Sequence, residues 1–190
     1  LHVRSRRQRQ MCIRDSYSKK HKKLDQIPQG GQIAVPNDET NKGRALHVLE
    51  EAGLITLKKG TGVIAREEDI DEAKSKVKVS PMDAQQTVTA LDSIDGAVVN
   101  NDFVNDAGLN PKEALFADDA NSKAAEPYIN VFVVRKKDAD NEQLKKLAAL
   151  FADKDFQAAL KKDSGDSGVT VTKTPEELQK ILADVTESLG

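Results

Sequence analysis

The chain has 190 residues, 38% of them hydrophobic and 32% charged, which suits one ordinary domain or two small lobes around a packed core. Aromatics make up only 4% with no Trp, a poor basis for base-stacking recognition of nucleic acid, and no apolar run approaches the ~20 residues of a membrane-spanning helix. The net charge of −2 conceals an uneven distribution: residues 1–23 carry nine Lys/Arg against one Asp, a local +8, so the remainder sums to −10.

The basic front reads either as a basic arm on an acidic body or as foreign sequence. Arg6-Arg7-Gln8-Arg9-Gln10-Met11-Cys12-Ile13-Arg14-Asp15-Ser16 reads back, codon for codon, into a common transposase-based sequencing adapter. Residues 1–16 are therefore expected to be a non-native, disordered segment and are set aside from the fold. With them goes the single cysteine, Cys12, whose neighbours Gln8 to Met11 are also not the small, apolar residues of a lipid-attachment motif. The rest holds no Cys, which excludes a disulfide scaffold and a thiolate metal site.

From residue 17 the elements follow in order. A basic run at 19–23 reads as a solvated linker, and Pro28, Gly30 and Gly31 form a turn. Residues 32–35 are a short apolar strand stopped by Pro36. The polar stretch 37–41 offers helix-cap chemistry, and Ala45, Leu46, Val48, Leu49 and Ala52 recur at helical spacing before Gly53. Residues 54–57 are short and apolar and 58–62 turn. Residues 67–74 read as a charged helix, 77–79 as a strand, 83–91 as a helix capped by Asp83, and 96–99 as a second apolar strand. Residues 101–107 read as a helical turn ended by Gly108. The run 129–134 has the strongest strand pattern in the chain. Helices are expected over 141–151 and 154–161, a loop over 164–168, a short strand over 169–172, and a helix over 174–189 with Thr174 as cap and Pro175 at its first position. Strands alternating with helices predict an α/β fold with mostly parallel strands.

No catalytic constellation emerges. His21 and His47 lack the spacing of zinc ligands, and Gly60-Thr61-Gly62 lacks the Lys-Ser/Thr of a phosphate loop and reads as a turn. The acid pairs Asp118-Asp119 and Asp138/Asp140 have no calcium-loop pattern. Two places are better candidates. At residues 35–44 a strand's carboxyl end meets a helix N-terminus, whose free N–H groups favour an anion. Arg44 lies near the first turn, where the helix dipole disfavours a cation, so it serves either a bound carboxylate or the surface. Val99-Asn100-Asn101-Asp102 also follows an apolar strand, and ligands of open α/β sheets bind at carboxyl ends of strands; the alternative is an Asn-rich turn.

At these places the chain resembles the methionine-binding lipoproteins, the substrate-binding subunits of bacterial methionine ABC importers. The likeness is carried by Tyr17-Ser18-Lys19-Lys20-His21-Lys22, Ile33-Ala34-Val35-Pro36-Asn37-Asp38, Thr40-Asn41, Gly43-Arg44-Ala45-Leu46 and Ala52-Gly53-Leu54-Ile55. It continues through Ala97-Val98-Val99-Asn100, Ala107-Gly108-Leu109-Asn110-Pro111-Lys112 and Pro127-Tyr128-Ile129-Asn130-Val131. Departures are Glu39 for the usual Pro, Asp102 for an Asn, Phe103 for a Tyr, and an unfamiliar tail from Val169.

The resemblance implies a type II periplasmic-binding-protein fold, two lobes joined by crossovers with ligand clamped between them. Residues 17–23 would end the first crossover, 24–119 form lobe two, and 120–190 supply the return crossover and an incomplete lobe one, the family's front being absent. It implies Arg44 on the ligand carboxylate, Asn100 on its polar backbone groups and Asn37 lining the pocket. It further implies no enzymatic activity, no cofactor or metal, no nucleic-acid partner, and docking on an ABC permease and ATPase complex. The full-length protein would be extracytoplasmic and held to the membrane by a lipid anchor missing from this chain. The alternative on the same architecture is an amino-acid-sensing effector domain or an enzyme.

Overall fold

The computed structural model of the chain describes residues 9–11, 14–100, 103–104, 107–117, 119, 123–163, 169–171 and 173–188. The expected loop at 164–168, Asp118, and most of the expected turn at 101–107, including Asn101 and Asp102, lie outside the described residues. Strands in chain order are β1 (Arg9–Met11), β2 (Arg14–Tyr17), β3 (Gly31–Pro36), β4 (Val77–Met82), β5 (Gly96–Asn100) and β6 (Val169–Val171). The α-helices are α1 (Glu39–Glu51), α2 (Gln86–Ala90), α3 (Glu142–Leu150), α4 (Lys154–Asp163) and α5 (Pro175–Ser188). The chain divides into two compact units, Ile13–Asp118 and Leu1–Cys12 with Asp119–Gly190.

The Ile13–Asp118 unit is built on a sheet in the order β2-β5-β3-β4. β3 runs parallel to β4, pairing Ile33 with Val79, and parallel to β5, pairing Ile33 with Gly96. β2 closes the other edge antiparallel to β5, pairing Tyr17 with Ala97 and Arg14 with Asn100. Central β3 is covered on both faces, which is why Ile33, Ala34 and Val35 form an unbroken buried run. Side chains alternate along a strand, so the faces carry different clusters. Ile33, Val35 and Val98 join Ala45, Leu46 and Leu49 of α1 on one side. Ala34, Ala97 and Val99 join Tyr17, Leu91 and Val104 on the other. The result is a three-layer α/β unit with a parallel centre and an antiparallel edge.

Helix α1 starts and stops where its sequence says. The Asp38 carboxylate accepts the Asn41 N–H at 3.0 Å, satisfying a donor that the first turn leaves orphaned. At the other end Gly53 takes φ +71°. The Leu54 N–H reaches the Leu49 carbonyl and the Gly53 N–H reaches the Glu50 carbonyl, both at 2.9 Å, a Schellman closure.

Several expectations are corrected. Arg9–Met11 and Arg14–Tyr17 form strands although disorder is expected through residue 16: β2 fills the edge that β5 would otherwise expose, and β1 pairs antiparallel with β6, Met11 opposite Val169. Residues 67–74 do not form a helix beyond a 3-10 turn at Glu67–Asp69. Their backbone groups bond across the loop instead, Lys58 N–H to the Asp69 carbonyl and Asp71 N–H to the Thr56 carbonyl, both 2.8 Å, flanking a Leu57–Ile70 bridge. The helix expected over 83–91 shortens to α2, because Asp83 Oδ1 instead closes a turn onto the Gln85 N–H at 3.0 Å. The run 129–134 is not a strand; only Val134 makes a bridge, and strand-forming composition alone does not build a ladder.

In the second unit Asn141 caps α3 by accepting from Gln143 and Leu144 N–H. Thr174 and Glu177 cap α5 reciprocally, Thr174 N–H to Glu177 Oε2 at 2.6 Å and Glu177 N–H to Thr174 Oγ1 at 3.2 Å. Among the described residues no helix is long and apolar enough to cross a membrane.

Candidate functional site

Strands β3 and β5 are parallel neighbours, so their carboxyl ends lie at the same edge of the sheet. Asn37 follows the end of β3, Asn100 is the last residue of β5, and α1 with Arg44 begins three residues after Pro36. Strand alternation puts Asn100 on the face of Val98, the face that α1 covers. Residues from two strand ends and one helix thus gather at one edge, the place where open α/β sheets bind ligands.

Their environments differ. Arg44 is 2% exposed and among the largest fully buried side chains of the molecule. A guanidinium cannot shed its charge, so such burial persists only among acceptors held in place by the fold. Asn100 is 8% exposed and Asn37 is exposed. Asn37 also lines a shallow depression of about 290 Å³ with Glu39, Lys42, Arg66, Glu67 and Glu68. Neither Arg44 nor Asn100 lines it. Its charges are matched internally, Lys42 to Glu67 at 3.0 Å, Arg66 to Glu39 at 3.5 Å and to Glu68 at 3.8 Å. Three acids against two bases leave a net −1, which does not select an anion.

Helical spacing alone does not single out Gly43. It lies inside α1 with ordinary helical φ, where Gly costs about 1 kcal/mol relative to Ala. Space explains its presence: a Cβ there would meet the Ala65 nitrogen at 3.1 Å and the Ile64 Cα at 3.2 Å. A glycine amid helical spacing was the available signal. His47, which lacks the spacing of a zinc ligand, has Nε2 3.1 Å from the Gly62 carbonyl oxygen, to which its Nε2–H tautomer donates.

The opposite edge of the sheet is tied by Asp95. Its carboxylate accepts the Gln32 N–H at 2.9 Å and lies 3.1 Å from His21 Nε2, while Ser18 Oγ donates to the Asp95 carbonyl at 2.6 Å. The Gln32 N–H first, and His21 second, hold the Asp95 carboxyl below its ordinary pKa of 3.8. Tyr17 donates to Asp15 Oδ2 at 3.3 Å, and burial, reinforced by the Asp15 charge, drives its phenol well above the usual range. Among the described residues no group of three or more His, Cys, Asp or Glu is arranged to hold a metal ion.

Comparison with known proteins agrees with this architecture. The D-methionine-binding lipoprotein MetQ of Salmonella typhimurium is 39% identical over 153 residues, which cover 78% of this chain and 55% of that protein. The chain therefore spans about half the length of the curated relatives it matches. Protein PG110 of Staphylococcus aureus superposes with a TM-score of 0.84 at 35% identity, covering 98% of this chain and 72% of that one. A nutrient-binding protein of Burkholderia cenocepacia bound to methionine superposes with a TM-score of 0.76 at 35% identity, covering 88% and 70%. The family model of the NlpA lipoproteins matches residues 14–172, and the chain belongs to that family.

Proposed function

We propose that this chain is the ligand-binding part of an extracytoplasmic solute-binding protein that captures methionine or a close amino acid for an ABC importer, without covalent chemistry. The observation that carries the reading is the buried guanidinium of Arg44 on the helix that starts at the carboxyl end of β3, beside Asn100 at the end of parallel β5. Arg44 offers a planar fork that matches a carboxylate with two parallel hydrogen bonds, preorganised by burial. Asn100 supplies an amide that can both donate and accept toward the ligand's backbone groups. Asn37, exposed beside them, lines the approach. The relatives' names, a D-methionine-binding lipoprotein and a nutrient-binding protein bound to methionine, support the ligand class and the lipid-anchored setting. In the same reading residues 24–119 are lobe two, 17–23 and 129–134 are crossover segments, and 120–190 belong to a lobe one completed by sequence outside this chain. The partners are an ABC permease and its ATPase.

Calorimetry on a version extended to the full length of its relatives tests the reading. Arg44→Ala should weaken methionine binding roughly ten- to hundredfold, since a charge-assisted hydrogen bond contributes ~1.5–3 kcal/mol. Arg44→Lys should recover only part, because a point charge does not reproduce the fork. Methioninol, lacking the carboxylate, should bind the parent poorly and lose little more in Arg44→Ala. Unchanged methionine affinity in Arg44→Ala removes Arg44 from the site.

A further inference from the structure

We infer that the loop formed by residues 58–69 is a positioning element for Arg44, with Gly43 as the point where it sets the helix. The inference rests on the ligand role proposed for Arg44 and adds what holds that side chain in place. The loop is rigid at its base, where Lys58 N–H bonds the Asp69 carbonyl and Leu57 bridges Ile70. Within it Thr61 N–H bonds the Lys58 carbonyl at 3.2 Å, and Arg66 N–H bonds Asp69 Oδ2 at 2.7 Å.

The far side of the loop lies along α1 from Glu39 to His47 and touches it at three heights. His47 Nε2 meets the Gly62 carbonyl oxygen at 3.1 Å. The backbone of Ile64 and Ala65 sits where only a residue without a Cβ fits, against Gly43. Lys42 Nζ meets Glu67 Oε1 at 3.0 Å, with Arg66 and Glu39 3.5 Å apart beside them. Backbone atoms cannot rotate aside as a side-chain tip can, and Ala65 is fully buried. An added methyl at position 43 therefore has to move the helix or the loop. Arg44 is the next residue, and its buried guanidinium moves with the backbone that carries it. The glycine thus exchanges helix propensity for a fixed seat under the ligand-binding arginine.

The test uses the version extended to the full length of its relatives and two readouts, the Nε–Hε resonance of Arg44 without ligand and the affinity for methionine. Gly43→Ala should shift that resonance and weaken methionine binding by about tenfold. Glu51→Ala, on the exposed far end of α1, should shift neither. A purely structural helix position behaves differently: there alanine raises thermal stability and leaves Arg44 where it was. If Gly43→Ala does not fold, Lys42→Glu and Glu67→Lys decide. Each alone should displace the Arg44 resonance, and the double exchange, which restores the ion pair with reversed sign, should return it. An Arg44 resonance unmoved by Gly43→Ala, or by both single charge changes, overturns the inference. Because that signal is read without ligand, a parent chain that fails to bind methionine refutes the proposed function and leaves this test intact.

Discussion

The two units of the molecule handle their apolar side chains in opposite ways. In the unit of residues 13–118, Ile33, Val35, Leu46, Leu49, Val98 and Val99 are sealed between a sheet and the elements on its two faces. In the unit that holds residues 119–190, the large apolar residues Val131, Phe132, Val133, Leu147, Leu150, Phe156 and Leu182 are exposed, Leu147 at 57% and Leu150 at 59%. Phe151 meets Phe132 edge to face and Phe156 at a tilt, ring centroids 6.0 and 5.2 Å apart, a small cluster rather than a core. Helical amphipathicity alone thus does not bury a stripe; a second layer has to meet it. The candidate site follows the same division, since all three of its residues belong to the sealed unit, where packing can hold a buried charge.

Paired truncations break or sharpen this contrast most strongly. Leu46→Ala, within the sealed core, should destabilise the chain by about 2–5 kcal/mol. Leu147→Ala, on α3, should stay within about 0.5 kcal/mol. Urea unfolding of both variants checks the pair, and equal losses would show that the exposed face of the second unit is covered in solution. Within the site, Asn100→Ala should weaken methionine binding less than Arg44→Ala does. A neutral hydrogen bond contributes ~1 kcal/mol, about fivefold in Kd by calorimetry. Cap removal compares the units on equal terms. Asp38→Ala at α1 and Asn141→Ala at α3 should each cost about 1 kcal/mol. In α1 tertiary packing should keep the helix intact, whereas α3 should also lose helicity by circular dichroism.

The smallest expected effect concerns acid. A carboxylate whose folded pKa lies below its ordinary 3.8 adds stability that is fully present above that value and is lost as pH falls through the folded pKa. Asp95→Asn should therefore lower the melting temperature at pH 6 and have a shallower loss than the parent below about pH 4. An identical acid limb in parent and variant would take Asp95 out of the acid response.

The sequence made the centre of the sealed unit readable because its signals are local. The apolar run of β3, the cap chemistry of residues 37–41 and the Gly53 stop each act within a few residues; β3 and the stop appear as expected, and within the polar stretch Asp38 is the cap. Arg44 stood out because a cation in an early helical turn works against the dipole, a local contradiction that points to function. What stayed hidden depends on distant partners. The role of Gly43 is set by Ile64 and Ala65, about twenty residues away, which no helical pattern reports. The run 129–134 satisfies every local strand preference and still lacks a ladder. The charged segment 67–74 closes a loop because its donors find acceptors across the turn at 56–58. The codon match of Arg14–Ser16 says nothing about whether an open sheet edge will accept them.

The central claim is that Arg44 and Asn100 meet the same amino-acid ligand. The most direct measurement is a nuclear magnetic resonance titration with methionine of the version extended to the full length of its relatives, following the Arg44 Nε–Hε and Asn100 side-chain amide signals together. Both should move along one saturable curve, while methioninol should shift Asn100 and leave Arg44 nearly still. Signals that both stay fixed through ~1 mM methionine, the Kd equivalent of about −4 kcal/mol, or that saturate at different concentrations, would contradict the account.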